Sequence, residues 1–177
     1  GMGRELAASN QRFNRLLTEA CSAIDKYLDG SIQPILFADA DSPDAERIHQ
    51  TQYTQPALFV FEVALARLWM EWGIVPTRVM GHSIGELSAA HIAGVLSLDD
   101  AARLVCARGR LMQACPSNGA MASIQAGEEA VREALETLNA NVGIAGLNSP
   151  IQTVISGDAD AVQLVVEQFE KNGVKTK

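Results

Sequence analysis

The stretch Val79-Met80-Gly81-His82-Ser83-Ile84-Gly85-Glu86 sets a serine between two glycines where a short apolar segment gives way to a helix. Gly73 and Pro76 are turn formers ahead of it; residues 74–80 predict an extended strand and residues 86–95 a helix rich in small side chains. Ser83 then falls on a strand-to-helix corner, a nucleophile elbow that forces its hydroxyl outward. Gly81 and Gly85 are expected to remove Cβ atoms that would clash in so tight a turn. The first amides of the helix point toward charge developing beside Ser83, so an oxyanion would be stabilised there. The G-x-S-x-G pattern alone also fits an ordinary glycine-rich turn, and the rest of the chain has to decide.

With 177 residues, 47% of them hydrophobic and 20% charged, the chain can bury one good core, or a core plus a small satellite domain. The net charge of -7 and the lack of any basic run argue against a phosphate-backbone partner, so nucleic acid is not expected. No apolar run reaches membrane-spanning length and no signal-peptide pattern opens the chain; no membrane association is expected, and a cytoplasmic location is. Cys21, Cys106 and Cys115 are an odd set without metal-ligand spacing. They read as reduced packing thiols, and no metal site is expected.

In chain order, Phe13, Leu16, Leu17, Ala20, Ile24 and Leu28 recur at helical spacing. After the interruption at Gly30, Pro34 and the polar residues 39–46, Thr54-Gln55-Pro56 is expected to open the next helix, with Pro56 in its first turn. From Ala57 to Trp72 only Glu62, Arg67 and Glu71 are charged, which predicts a central helix covered on most sides. Ser97 predicts an N-cap for a further helix that runs to about Ala114, with Asp99 and Asp100 in its first turn. Its apolar stripe is Ala101, Leu104, Val105, Leu111 and Met112, and Arg108 falls at the stripe's centre. A guanidinium placed there needs a partner, either an internal carboxylate such as Glu86 or an anionic ligand. Arg103 and Arg110 project from the opposite face as solvated charges.

From Gly119 the texture changes. Strands are predicted over 121–124, 142–147 and 152–156, helices over 128–138 and 160–171, and the start of another strand over 174–177. That order, β-α-β-β-α-β, is the ferredoxin-like split unit. The expected organisation is a larger α/β part over 1–118 and a small α+β part over 119–177.

A serine nucleophile needs a general base within hydrogen-bond reach, usually histidine. His82 adjoins Ser83 in sequence but its side chain should point elsewhere, His91 lies two turns along the same helix, and His49 sits in the loop before the central helix. None fits the task.

Four separated motifs, Thr51-Gln52-Tyr53-Thr54-Gln55-Pro56-Ala57-Leu58-Phe59, the elbow over 81–86, Ala107-Arg108-Gly109-Arg110-Leu111-Met112 and Gly119-Ala120-Met121-Ala122, occur in one order along the chain. Together they make it resemble the acyltransferase domains of modular polyketide synthases, relatives of the malonyl-CoA:acyl carrier protein transacylases of fatty-acid synthesis. The resemblance implies an α/β fold, an α/β-hydrolase-like core with a ferredoxin-like subdomain. It implies that Ser83 takes an acyl group from coenzyme A and passes it to the phosphopantetheine thiol of an acyl carrier protein. Arg108 would bind the free carboxylate of the acyl unit, Gln55 would line the active site, the N–H of Ile84 would be an oxyanion donor, and His82 and Asn148 would lie at the substrate cleft. No bound cofactor is implied; malonyl-CoA is the substrate and the phosphopantetheine belongs to the partner. Neighbouring ketosynthase and linker domains are the other implied partners.

The resemblance also implies elements that these residues lack: an N-terminal strand with a Gly-Gln-Gly-Ser-Gln turn, and a catalytic histidine expected beyond Lys177. The core is therefore expected to be incomplete here. Ile84 after the nucleophile and the form Gln52-Tyr53-Thr54-Gln55-Pro56 of the second motif resemble malonyl-selecting domains, the bulk of Ile84 at the pocket edge disfavouring an α-methyl; one methyl in an apolar pocket is worth about 1 to 3 kcal/mol. A serine esterase or thioesterase shares the elbow, and a non-catalytic scaffold fragment of a megasynthase would keep the fold without the chemistry.

Overall fold

In a computed structural model, which describes residues 2–177, the chain divides into two compact units, Gly1–Cys115 and Pro116–Lys177. The first holds α1 (Arg4–Ser9), α2 (Gln11–Asp25), α3 (Ile32–Leu36), α4 (Pro43–Arg47), α5 (Thr51–Glu71), α6 (Gly85–Ile92) and α7 (Leu98–Gln113). The second holds β1 (Gly119–Ile124), α8 (Glu128–Leu138), β2 (Val142–Ser149), β3 (Gln152–Asp158) and α9 (Ala159–Lys171). No helix among the described residues is long and apolar enough to cross a membrane.

Helix α2 starts where Asn10 accepts a hydrogen bond from the Phe13 amide at 3.0 Å, and it buries Phe13, Leu16, Leu17, Ala20 and Ile24 as their spacing predicts. Helix α5 is the central helix; α2, α3, α6 and α7 all pack on it. It begins at Thr51, earlier than expected, because the amides of Tyr53 and Thr54 both donate to the Gln50 carbonyl at 2.9 Å and so start the turn there. Pro56 consequently lies inside the helix rather than in its first turn. It has no N–H to offer the Gln52 carbonyl. The core around α5 gathers Phe13, Leu16, Ile24, Phe59, Val63 and Val105, all buried.

The strand expected over 74–80 does not form. A strand exists through a neighbour's N–H and C=O groups, and none among the described residues pairs with this segment. It is irregular, with Ile74, Val75 and Val79 exposed and Met80 92% exposed. The described residues of the first unit are thus helical and irregular, and the α/β character of the chain lies in the elements of the second.

That second unit is a three-stranded sheet of order β1-β3-β2, antiparallel throughout, with β3 central. The end of the chain adds to the free edge of β1: Ser123 and Lys177 exchange backbone hydrogen bonds of 2.8 and 3.0 Å, and Ile124 bridges Thr176. With α8 and α9 as crossovers this is the ferredoxin-like order. Ile124, Val131, Ile155, Val162, Val165 and Phe169 form its core.

Candidate active site

Ser83 has φ of +54°, one of two non-glycine residues in the left-handed region among those described. That conformation costs a side-chain-bearing residue about 1 to 2 kcal/mol, and the surrounding turn imposes it. Gly85 N–H donates to the His82 carbonyl at 3.0 Å and Glu86 N–H to the Ser83 carbonyl at 3.1 Å, while the Glu86 carboxylate reaches back to accept from the Gly81 amide at 3.1 Å. The backbone closes so tightly that a Cβ on Gly81 would stand 2.0 Å from the carbonyl carbon of Gly85. Only glycine fits at 81. The expectation for Gly85 is corrected: a Cβ there meets nothing within 4 Å, because the crowding is directed at Gly81.

Ile84 follows with helical φ and ψ and inserts its side chain into the core, 6% exposed. This corrects the placement of its bulk at a pocket edge, since a side chain buried to hold the elbow down cannot meet an acyl group. Its amide, by contrast, donates to no protein group among the described residues and is free to meet an oxyanion beside Ser83. Helix α6 is in turn fixed on α5 by buried Ser88, whose hydroxyl donates to the Glu62 carboxylate.

Helix α7, capped as expected by Ser97 accepting from the Asp100 amide at 3.1 Å, buries Ala101, Ala102, Val105, Cys106 and Gly109. Its inward face is thus rotated from the predicted stripe; Leu104, Leu111 and Met112 are exposed, and Arg108 sits half-buried at the stripe's border, not at its centre. The rotation follows from Gly109. A Cβ there would stand 3.1 Å from the Gln52 Cα, so this face of α7 lies against the first turn of α5. Arg108 does not pair with Glu86. Its Nη1 donates to the Gln55 side-chain carbonyl and its Nη2 to Ser83 Oγ at 3.2 Å, and no carboxylate forms an ion pair with it among the described residues.

Gln55 is 5% exposed, and its Nε2 donates to Thr51 Oγ1 at 2.8 Å and to Met112 Sδ at 3.2 Å. The structure thereby brings Ser83, Gln55 and Arg108 together from three segments. Sequence reasoning gave Thr51 and Met112 no role in this cluster; the available signal was spacing, one four residues before Gln55 and the other four after Arg108. Among the described residues no histidine bonds Ser83 Oγ. His91 Nδ1 is engaged with the Leu96 carbonyl at 3.0 Å, and exposed His82 lines an apolar cavity of about 880 Å³ with Trp69, Arg78 and Met80, to which Ser83 does not contribute. That cavity lies along the unpaired segment 74–82, and Ser83 is not among its lining residues.

The family model described as acyl transferase domain matches residues 1–177. The chain belongs to the acyl transferase domain family. A PKS-NRPS hybrid synthetase, acdB, of Aspergillus candidus is 46% identical over 179 residues, which is 100% of this chain and 7% of that protein. The acyltransferase domain from the second module of the salinomycin polyketide synthase superposes with a TM-score of 0.88 at 44% identity, covering 99% of this chain and 40% of that one. A malonyl-transacylase solved in complex with a type II PKS acyl-carrier protein gives a TM-score of 0.78 at 32% identity, covering 91% and 53% respectively. The chain therefore spans well under two thirds of the proteins it matches.

Within this acyltransferase domain the elbow exposes the Ser83 hydroxyl and the Arg108 guanidinium lies against it at 3.2 Å, while the amide of the next residue, Ile84, has no protein acceptor among the described residues. Asn148 is an exposed residue of β2 in the second unit.

Proposed function

We propose that Ser83 accepts a malonyl group from malonyl-CoA and delivers it to the phosphopantetheine thiol of an acyl carrier protein. The observation that carries this reading is the Arg108 guanidinium 3.2 Å from Ser83 Oγ, without a carboxylate partner among the described residues. A guanidinium offers five N–H donors, and two are engaged here, by Gln55 and Ser83. The other three are free for the carboxylate of a dicarboxylic acyl unit, within one side chain's breadth of the reacting oxygen.

In the first half-reaction Oγ attacks the thioester carbonyl, the C–S bond breaks, and the hydroxyl proton leaves through a base to the coenzyme A thiolate. In the second, the carrier thiol attacks the ester, the C–O bond breaks, and a proton returns to Ser83. The Ile84 amide is placed to meet the oxyanion of both tetrahedral intermediates. The base is assigned to none of His49, His82 and His91. The carrier protein as partner is supported by the related malonyl-transacylase found in complex with one; ketosynthase and linker domains are proposed as further neighbours on the likeness to polyketide synthases. The choice of malonyl over methylmalonyl now rests on the resemblance alone, because the Ile84 side chain points into the core.

The test is intact-protein mass after mixing with malonyl-CoA, methylmalonyl-CoA or acetyl-CoA, with the adduct mapped. A malonyl adduct on Ser83, absent from Ser83→Ala, is expected, and Arg108→Ala should lower malonyl loading at least ten-fold while sparing acetyl. Equal malonyl loading by Arg108→Ala would remove the carboxylate grip, and release of free malonate without a stable or transferable ester would point to a hydrolase.

A further inference from the structure

We infer that Thr51 is a positioning residue that supports the preference for a carboxylate-bearing acyl group by anchoring the Gln55 amide that holds Arg108. The inference rests on the acyl-transfer reading above and names a residue outside the cluster that would touch substrate. Gln55 is buried, so both ends of its amide need partners inside the protein. An amide can be turned by 180°, and the two orientations are opposite in function. With the carbonyl toward α7 it accepts from Arg108; with the NH2 toward α7, donor would face donor and the guanidinium would be driven away.

Arg108, which only donates, and Met112 Sδ, which only accepts, choose between them, and Thr51 anchors the orientation they choose. It lies one turn before Gln55 on the same face of α5, and its hydroxyl oxygen accepts from Gln55 Nε2 at 2.8 Å. Met112 Sδ, a weak acceptor, takes a second contact from the same nitrogen at 3.2 Å. With the nitrogen end occupied on both sides, the carbonyl end is left for Arg108 Nη1. Arg108 is half-buried on a long, flexible stem. Held by Nη1, it presents Nη2 to Ser83 Oγ and its remaining N–H groups to an incoming carboxylate. The chain of contacts therefore runs from Thr51 through Gln55 and Arg108 to Ser83. Close packing of Gly109 on the backbone of Thr51 and Gln52 keeps its ends in register.

Thr51→Val keeps the shape and removes the acceptor, and Thr51→Ser keeps the acceptor. Two readouts are taken on each: solvent exchange of the Gln55 side-chain NH2 by NMR, assigned by its loss in Gln55→Ala, and the rates of Ser83 loading from malonyl-CoA and acetyl-CoA. In Thr51→Val the Gln55 NH2 should exchange faster. The malonyl-to-acetyl ratio should fall by about two- to ten-fold, the worth of one neutral hydrogen bond. The fall should come through KM for malonyl-CoA, with kcat changed less than two-fold, and Thr51→Ser should restore both readouts. An unchanged Gln55 amide, or an unchanged ratio, in a folded Thr51→Val overturns the inference, as does a Thr51→Ser that behaves like Thr51→Val. A wild-type chain whose Ser83 takes neither acyl group refutes the acyl-transfer reading instead, and the Gln55 NH2 then decides whether Thr51 holds it.

Discussion

Ser83 carries its strain where chemistry needs an outward hydroxyl. At φ of +54° a Cβ is disfavoured and glycine is not, so stability and function pull residue 83 in opposite directions. Ser83→Gly and Ser83→Ala should both abolish acylation, yet the glycine variant should be the more stable by about 1 kcal/mol, because alanine keeps the left-handed penalty and glycine removes it. Urea unfolding midpoints measure this, and coincident midpoints would show that the elbow stores no strain at this residue. Gly81 is the opposite case. Its missing Cβ cannot be replaced, since the backbone of Gly85 occupies the space.

Among the elements, the approach of α7 to the first turn of α5 governs the site. Gly109 costs α7 about 1 kcal/mol in helix propensity relative to alanine. In return it lets the backbones of the two helices meet, which is what carries Arg108 to Gln55. Gly109→Ala should therefore destabilise the protein despite its better propensity, because the Cβ would press on helical backbone at 3.1 Å and that backbone cannot move as a side chain can. The expected net loss is about 1 kcal/mol, the balance of overpacking against propensity, together with weaker malonyl loading as Arg108 is displaced. A stabilised variant with unaltered loading would mean that the helices yield. The long helices and the Ser97 cap of α7 were legible in the sequence because they rest on contacts three or four residues apart, as Ser97 does on Asp100; the Asn10 cap of α2 is of the same kind and came only from the structure. The inward face of α7 was not, since its pattern of Leu104, Leu111 and Met112 looks apolar while the partner helix selects a different face, the one with Gly109.

For the molecule as a whole, the cysteines report on the core of the first unit. Cys21 and Cys106 are buried there and Cys115 is exposed. Burial, with Asp25 adding to it, pushes the Cys21 thiol up to about 12, and the same two causes, partly offset by Arg110, push Cys106 up to about 11. Both pKa values are raised in the fold, so the neutral thiols stabilise it fully below the unfolded thiol value of about 9. That contribution is lost as pH rises from there toward 11 and 12, because the unfolded chain sheds protons that the folded chain keeps. A thiol reagent at pH 8 should titrate one fast group, Cys115, and two more only on unfolding. The urea midpoint should fall between pH 9 and 10.5, and should fall less in the double variant Cys21→Ala, Cys106→Ala; three fast thiols in the native protein would contradict this burial. The sequence by itself determined the serine elbow, the helices α2 and α5 to α9 and the β-α-β-β-α-β order, written in local spacing, and its ordered motifs singled out Ser83, Gln55 and Arg108; the short helices α1, α3 and α4 were not read from it. Only the tertiary structure decided that 74–80 pairs with no strand, that Ile84 faces the core, and that Arg108 meets Gln55 and Ser83 rather than Glu86. Those outcomes depend on groups brought together from as far as 53 residues apart, and a periodicity of 3.6 or 2 residues does not record which distant neighbour fills the space beside it.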